Sequence, residues 1–364
     1  MALSTKKQRL SLAATPRLAA LVACLLSFSG PRAHAADFCV QAGDAPALQA
    51  ALAQAAGDGE DDVIRLQAGD YDLPANFSLF YYPNTEQHHL ALSGGFYPEG
   101  VDPCALRLAP FDARATVIHG GAIGLFLPEG VGNIEVDSIT FRDGVSTNQV
   151  PIPIIFSGAG GSVGAIHIKN SMFLANVSLS SAAVFVGALD GNVFIENSVF
   201  ADNASTGGAS PIQIGTSNTN GVCLEILGST FARNTSTAAG VRIDSQNCTA
   251  AITNSILWET PSSTASVDLV SPATSLLRND DVFNVADTTG AQVIGLISRD
   301  PLFNQDLSLS DYSPLRDAGD DYNGVDTDFD VTGAQRRYGA HVDIGAIEML
   351  DVIFAHDFDV DYGP

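Results

Sequence analysis

Ile166-His167-Ile168-Lys169-Asn170-Ser171-Met172-Phe173 is the fullest copy of a phrase that recurs through the middle of the chain. Val193 to Phe200 and Leu224 to Phe231 repeat it, and Ile134 to Phe141 and Ala250 to Leu257 are weaker copies. The closing positions 141, 173, 200, 231 and 257 are spaced by 32, 27, 31 and 26 residues. Within a copy the apolar and polar residues alternate. Ile166 and Ile168 fall on one side of an extended segment and His167 and Lys169 on the other, as successive strand side chains must.

A second apolar phrase precedes each copy. Its inward pairs read as Leu125/Leu127, Ile154/Phe156, Val184/Val186, Ile212/Ile214, Val241/Ile243 and Val267/Leu269. Two short strands in a unit of about 28 residues, with no helical period between them, define a repeat architecture. So small a unit cannot bury its own apolar side, so the units must stack. The Leu-x-x-Leu-x-Leu spacing of leucine-rich repeats is absent, and the unit is short of the roughly 40 residues of a propeller blade. Short strands, polar turns and apolar columns fit a parallel β-helix. Asn170, Asn197 and Asn254 hold one place in three coils, with Gly228 there once. Stacked at ~4.8 Å, they form a buried amide column that satisfies turn backbone and one another. Phe173, Phe200 and Phe231 form a second, aromatic column.

These features resemble the right-handed parallel β-helix of pectin-lyase-like proteins over roughly residues 60 to 350. The right hand follows from that resemblance and from the handedness of parallel crossovers. The expected fold is all-β: a single-stranded right-handed parallel β-helix with a short N-terminal helical cap. Residues 1–35 read as a signal peptide, 36–60 as the cap, 61–298 as coils, 299–348 as a C-terminal closure and 349–364 as a tail.

The signal peptide rests on Lys6, Lys7, Arg9 and Arg17, an apolar run from Leu18 to Gly30, and Ala33-His34-Ala35 before the cleavage point. That run is too short to span a membrane, which takes about 20 residues. Leu21-Val22-Ala23-Cys24 looks like a lipoprotein box, but only six residues separate Arg17 from Cys24. Cleavage removes five basic residues and no acids, taking the net charge from −24 to −29. Such a surface repels nucleic acid and anionic membranes. An exported, extracellular or bacterial cell-surface location follows.

Four cysteines remain after cleavage, an even number suited to disulfides in an exported chain. Cys223 and Cys248 lie just before neighbouring copies of the phrase, which sets them within disulfide range on adjacent coils. Cys39 with Cys104 follows by elimination. Ala-rich residues 44 to 56, with Leu48 and Leu52 four apart, read as the capping helix. Asn176, Asn203 and Asn234 open sequons in the loops and read as Asx-type turn residues.

The outward positions of the phrase are the first place to look for chemistry. Glu135, His167 and Glu225 share one column with Phe194, and Lys169 is expected near Asp137 and Glu196. Carboxylates on such a face could act on a glycosidic bond. They could also hold calcium against a uronate, as the resemblance to pectate lyases implies. The plainer reading is a solvated face with ion pairs of ~0–1 kcal/mol each. The resemblance favours the plainer one: the Asn-Thr-Asp, Asp-Asp, Gly-His-Gly and Arg-Ile-Lys set of polygalacturonases is absent. Val117-Ile118-His119-Gly120-Gly121 and Val241-Arg242-Ile243-Asp244 are the nearest approaches. Arg142 beside Asp143 and Arg233 could serve a lyase, but nothing in their spacing singles them out.

The C-terminal run includes Asp300-Pro301-Leu302-Phe303, Ser313-Pro314-Leu315-Arg316-Asp317-Ala318-Gly319, Asp330, Gly333, Arg336 and Val342 to Glu348. It resembles the C-terminal signature of bacterial surface proteins of the choice-of-anchor Q type. Leu315 stands where that pattern has Ile, and Ile347 where it has an aromatic residue. Asp321, Asn323, Asp326, Asp328 and Asp330 space oxygen donors as a calcium loop would. The EF-hand template fails at Val331 and Arg337. The sequence therefore leads to a non-enzymatic exported protein that binds a polysaccharide or cell-surface partner. The alternative is a polysaccharide lyase or glycoside hydrolase working on the outward strand face.

Overall fold

The computed structural model describes residues 36–83, 88–107, 109–127, 132–146, 153–157, 164–217, 221–259, 267–270, 274–283, 291–321 and 328–350. Residues 1–35, read above as a signal peptide, and all residues beyond Leu350 lie outside the described residues.

The alternation of the repeated phrase builds a right-handed parallel β-helix. An 11-stranded first sheet climbs from Ala36–Val40 through Asp62–Gln67, Leu90–Glu99, Asn133–Asp137, Ala165–Lys169, Asn192–Glu196, Val222–Leu227, Thr249–Thr253 and Thr274–Arg278 to Ala291–Ile294. Asp102–Arg107 adds to its side, antiparallel to Leu90–Glu99. A 13-stranded second sheet forms most of the remaining wall, and Val145–Ser146, Val177–Ser178 and Ala204–Ser205 form a small third sheet. One arm of the second sheet holds Val184–Leu189, Ile212–Ser217, Val241–Gln246 and Val267–Val270, and the other holds Met172–Leu174, Val199–Ala201, Thr230–Ala232 and Ile256–Trp258. The 12-residue strand Thr116–Leu127 belongs to both arms and joins them.

The core follows the columns. Phe141, Phe173, Phe200 and Phe231 stack with ring centroids 5.1, 4.6 and 4.7 Å apart, and Leu257 pairs next to Phe231 in the column. The other apolar column differs from the sequence reading at its first two coils. Leu125, Ile155, Val186, Ile214, Ile243 and Leu269 pair in register. Ile155 is 1 % exposed and takes the core position expected for Ile154 and Phe156; Leu125 and Leu127 are both buried as expected, but Leu125 holds the column and Leu127 lies two residues past it. Ile154-Ile155-Phe156 is continuously apolar, so alternation gives no phase there, and a slip of one residue exchanges the faces.

The turn after each first-sheet strand needs a left-handed residue. Ser138, Asn170, Asn197, Gly228, Asn254 and Asn279 all have φ between 46° and 56°. Asn and Gly tolerate that conformation best, which is why they alternate at this place in the sequence. Asn197 donates to Asn170 Oδ1 (2.8 Å), and Asn170 donates to the Asp137 carboxylate (3.0 Å). Gly228 interrupts the column, and Asn254 bonds instead to the Asp320 backbone in both directions.

The helix Ala45–Ala55 buries Leu48 and Leu52 against the first coils, with Asp44 as its N-cap. Both disulfides are present. Cys39 and Cys104 have Cα atoms 5.7 Å apart, and Cys223 and Cys248 5.9 Å. The chain-entropy values for these loops are about 4.3 and about 3.5 kcal/mol, upper limits because the coils already hold the ends together.

Residues 299–321 and 328–350 run back along the flank of the solenoid as a strap. The strap reaches Asn254 at Asp320, Thr230 at Ala346, and Ala113 at Val331. Its Leu307, Val331, Ala346 and Ile347 cover outward-facing Met172, Val199, Ala201 and Ala232.

Candidate functional site

The outward first-sheet positions are brought together as columns. Glu135, His167, Phe194 and Glu225 pair in register, one rung apart. The His167 and Phe194 rings stack at 4.7 Å. Burial lowers the His167 pKa, with Glu135 opposing, so the ring is held toward its neutral form. Glu135 and Glu225 stand three rungs apart, about 14 Å at the rung spacing, too far to flank one glycosidic bond.

Lys169 lies between Asp137 and Glu196 in the register, and its ammonium sits 2.7 Å from Glu135 and 3.9 Å from Asp137. Burial pulls its pKa down, and the Glu135 hydrogen bond with the Asp137 and Glu135 charges reverses this, leaving it raised. Asp137 departs from the solvated position expected of it. Only 3 % of it is exposed. Its carboxylate accepts from Arg107 Nη1 (2.7 Å), Ser138 Oγ (2.9 Å) and Asn170 Nδ2 (3.0 Å). The Arg107 guanidinium in turn lies over the Phe111 ring at 4.3 Å and the Phe96 ring at 5.4 Å. Asp137 thus heads the amide column, and the antiparallel strand Asp102–Arg107 supplies the arginine that covers it. Nothing in the repeat announces that strand.

A cleft of about 490 Å³ opens here, lined in part by Arg107, Phe111, Lys169, Glu196, Asp328 and Phe329. It brings the strand-face candidates beside Asp328. Of the other calcium candidates, Asp321 and Asp330 are each held by partners of their own. Asp321 pairs with Arg337 and His341, each at 3.0 Å, and accepts from Val342 N. Asp330 accepts from the backbone of Thr332, Ala334 and Glu348 and from the Thr332 hydroxyl. Asn323 and Asp326 lie outside the described residues. Among the described residues no three His, Cys, Asp or Glu side chains converge on one point.

The C-terminal signature residues organise the strap. Arg336 is buried and donates to Gly345 O (2.6 Å). Asp343 accepts from Asp317 N and Met349 N, and Glu348 from Asp343 N. Burial pushes the Glu348 pKa up to about 8. Arg142 and Arg233 pair with Asp143 and Asp202, both at 2.8 Å, and Arg233 also donates to Gln305 O of the strap.

The second-sheet arm from Thr116–Leu127 to Val267–Val270 presents a different outer face. Phe80 and Tyr82 are 46 % and 52 % exposed. Both approach Phe126, with ring centroids 6.3 and 5.8 Å away. The Phe126 and Phe80 rings occupy the space a side chain at Gly124 would need, and the partly buried Phe185 ring does the same over Gly187, at 2.7 Å. Farther along the arm the face turns polar with Gln213, Arg242 and Asp268 in register with Phe185. A hollow of about 200 Å³ lies at this junction, lined in part by Phe185, Gly187, Gln213, Gly215, Arg242 and Asp244. Arg242 has Asp244 and Asp268 at 3.6 and 3.7 Å. The sequence reading missed this face, because Leu125-Phe126-Leu127 and Val184-Phe185-Val186 are unbroken apolar runs in which one outward, partly exposed ring does not stand out.

It also missed a second amide ladder. Asn176, Asn203 and Asn234 are buried and bond in series: Asn176 donates to Asn203 Oδ1, and Asn203 to Asn234 Oδ1, each at 2.9 Å. Glu259 ends the series by accepting both the side-chain amide (2.8 Å) and backbone N–H (2.6 Å) of Asn234. A signal was available, since each of these asparagines follows a stacked phenylalanine by three residues.

No helix among the described residues is long and apolar enough to cross a membrane. No family model matches the chain, and no curated protein matches it.

Proposed function

We propose that this is an exported, surface-associated β-helix protein that binds glycan chains without cleaving them. The observation that carries the reading is the outer face of the second sheet, where exposed aromatic rings lead into a hollow edged by amide, guanidinium and carboxylate groups. Sugar rings need both kinds of partner: apolar surface for their C–H faces and fixed polar groups for their hydroxyls. The two disulfides fit an oxidising compartment outside the cytoplasm. The signal peptide at 1–35 and the resemblance of the strap to choice-of-anchor Q proteins support placement at a bacterial cell surface.

The test is to incubate residues 36–364 with neutral and acidic polysaccharides, with calcium or with chelator. Co-sedimentation, reducing ends and unsaturated-uronide absorbance are followed together. Binding without new chain ends is expected, and chain cleavage would overturn the reading. A chelator-sensitive interaction would support calcium at the Asp321 to Asp330 segment.

One observation favours a lyase or hydrolase as the second reading. Asp137 and Glu196 stand two rungs apart across Lys169 on the wall of the 490 Å³ cleft. Any turnover at this cleft should disappear in Glu196→Ala and Lys169→Ala. Binding at the second sheet should survive both.

A further inference from the structure

Resting on the glycan-binding reading, we infer that the second-sheet face takes a neutral polysaccharide in its extended, equatorially linked form, lying along the solenoid axis. Three observations converge on that class.

The first is the direction of the track. Phe80, Gly124, Ile154, Phe185, Gln213, Arg242 and Asp268 are one register column, so the aromatic and polar groups follow each other rung by rung along the axis. Six rung steps give about 29 Å. A ligand that exploits this column must be long and straight.

The second is the period. The rungs repeat at ~4.8 Å, close to the length of one sugar residue in a fully extended, equatorially linked chain. Such a chain meets an equivalent row of protein atoms at every residue. An axially linked chain advances less per residue and coils, so it drifts out of step within a few sugars. Phe126, two residues along the strand from this column, leans its ring over Gly124, which stands two rungs, about 10 Å, from Phe185 and so near the disaccharide repeat of the extended form.

The third is charge. Arg242 is the one cation on the described part of this track, and Asp244 and Asp268 flank it. The local balance is negative, on a chain of net charge −24. A polyuronate would meet repulsion here, whereas hydroxyl groups can donate to the carboxylates and accept from Arg242 and Gln213. Gly187 lets the Phe185 ring lie flat on the sheet, and Gly215 carries no side chain that would lift the ligand off the hollow.

The experiment is calorimetric titration of residues 36–364 with β-1,4-linked cello-, xylo- and manno-oligosaccharides of increasing length. Maltohexaose and hexagalacturonate are run beside them. At least one β-1,4 series should bind, with affinity climbing from dimer to hexamer. Phe185→Ala and Gln213→Ala should each weaken hexamer binding at least tenfold with the thermal transition retained, and Lys169→Ala should leave it unchanged. Gln213→Ala keeps the site testable if Phe185→Ala impairs folding. Preference for maltohexaose or hexagalacturonate would overturn the assigned class and leave glycan binding standing. Hexamer binding insensitive to both second-sheet variants would overturn the site. Failure of every saccharide to bind would sink this inference together with the reading beneath it.

Discussion

Phe200 lies between the rings of Phe173 and Phe231, fully buried. Phe200→Ala should therefore cost about 3–5 kcal/mol in denaturant unfolding. Phe200→Leu should cost less than about 1.5 kcal/mol, since Leu257 fills the same column two coils on. Asn203 has a different dependence on its neighbours. Its Oδ1 accepts both the backbone N–H and the side-chain amide of Asn176, and its own amide donates to Phe173 O and Asn234 Oδ1. Asn203→Ala strands buried donors at about 1–3 kcal/mol each, so its loss should equal or exceed a typical core truncation although no apolar surface is removed. The same denaturation series checks it. At this scale the sequence was legible wherever a side chain recurs at a fixed offset. Phe173 and Asn170 stand out by recurrence. Asp137 does not, because its partner Arg107 lies outside the repeat.

The strap is the element whose place was hardest to anticipate. Its residues do not recur, and its contacts run across the coils, joining Thr230 to Ala346 and Ala113 to Val331. Periodicity reports on neighbours one coil away and is silent about a segment that crosses many coils. The capping helix, by contrast, was legible from Leu48 and Leu52 alone, since a four-residue spacing is a local signal. Thr230→Val tests the attachment of the strap. The substitution preserves shape but removes the acceptor of Ala346 N–H, a 2.9 Å bond that is buried. Hydrogen exchange should accelerate across 328–350 while the coils from 165 to 227 keep their protection. Uniform acceleration through both regions would mean that strap and coils open as one unit.

For the molecule as a whole, the buried acids set the response to pH. Burial raises the Glu259 and Glu348 pKa values to about 8 and that of Asp281 to about 7. Unfolded, these groups titrate near 4. Folded pKa values above unfolded ones mean that the folded chain holds more protons between pH 4 and 8, so stability falls as pH rises through that window. The thermal midpoint should be higher at pH 5 than at pH 8.5, and Glu259→Gln should reduce the slope. A midpoint that rises over this range would contradict the assignment. The strap carries one more consequence, for a molecule held at a surface and pulled. A load applied beyond Leu350 does not reach the last coil first. It passes through a segment anchored at Asn254, Thr230 and Ala113, and so is shared in shear among several coils rather than peeling them off one rung at a time.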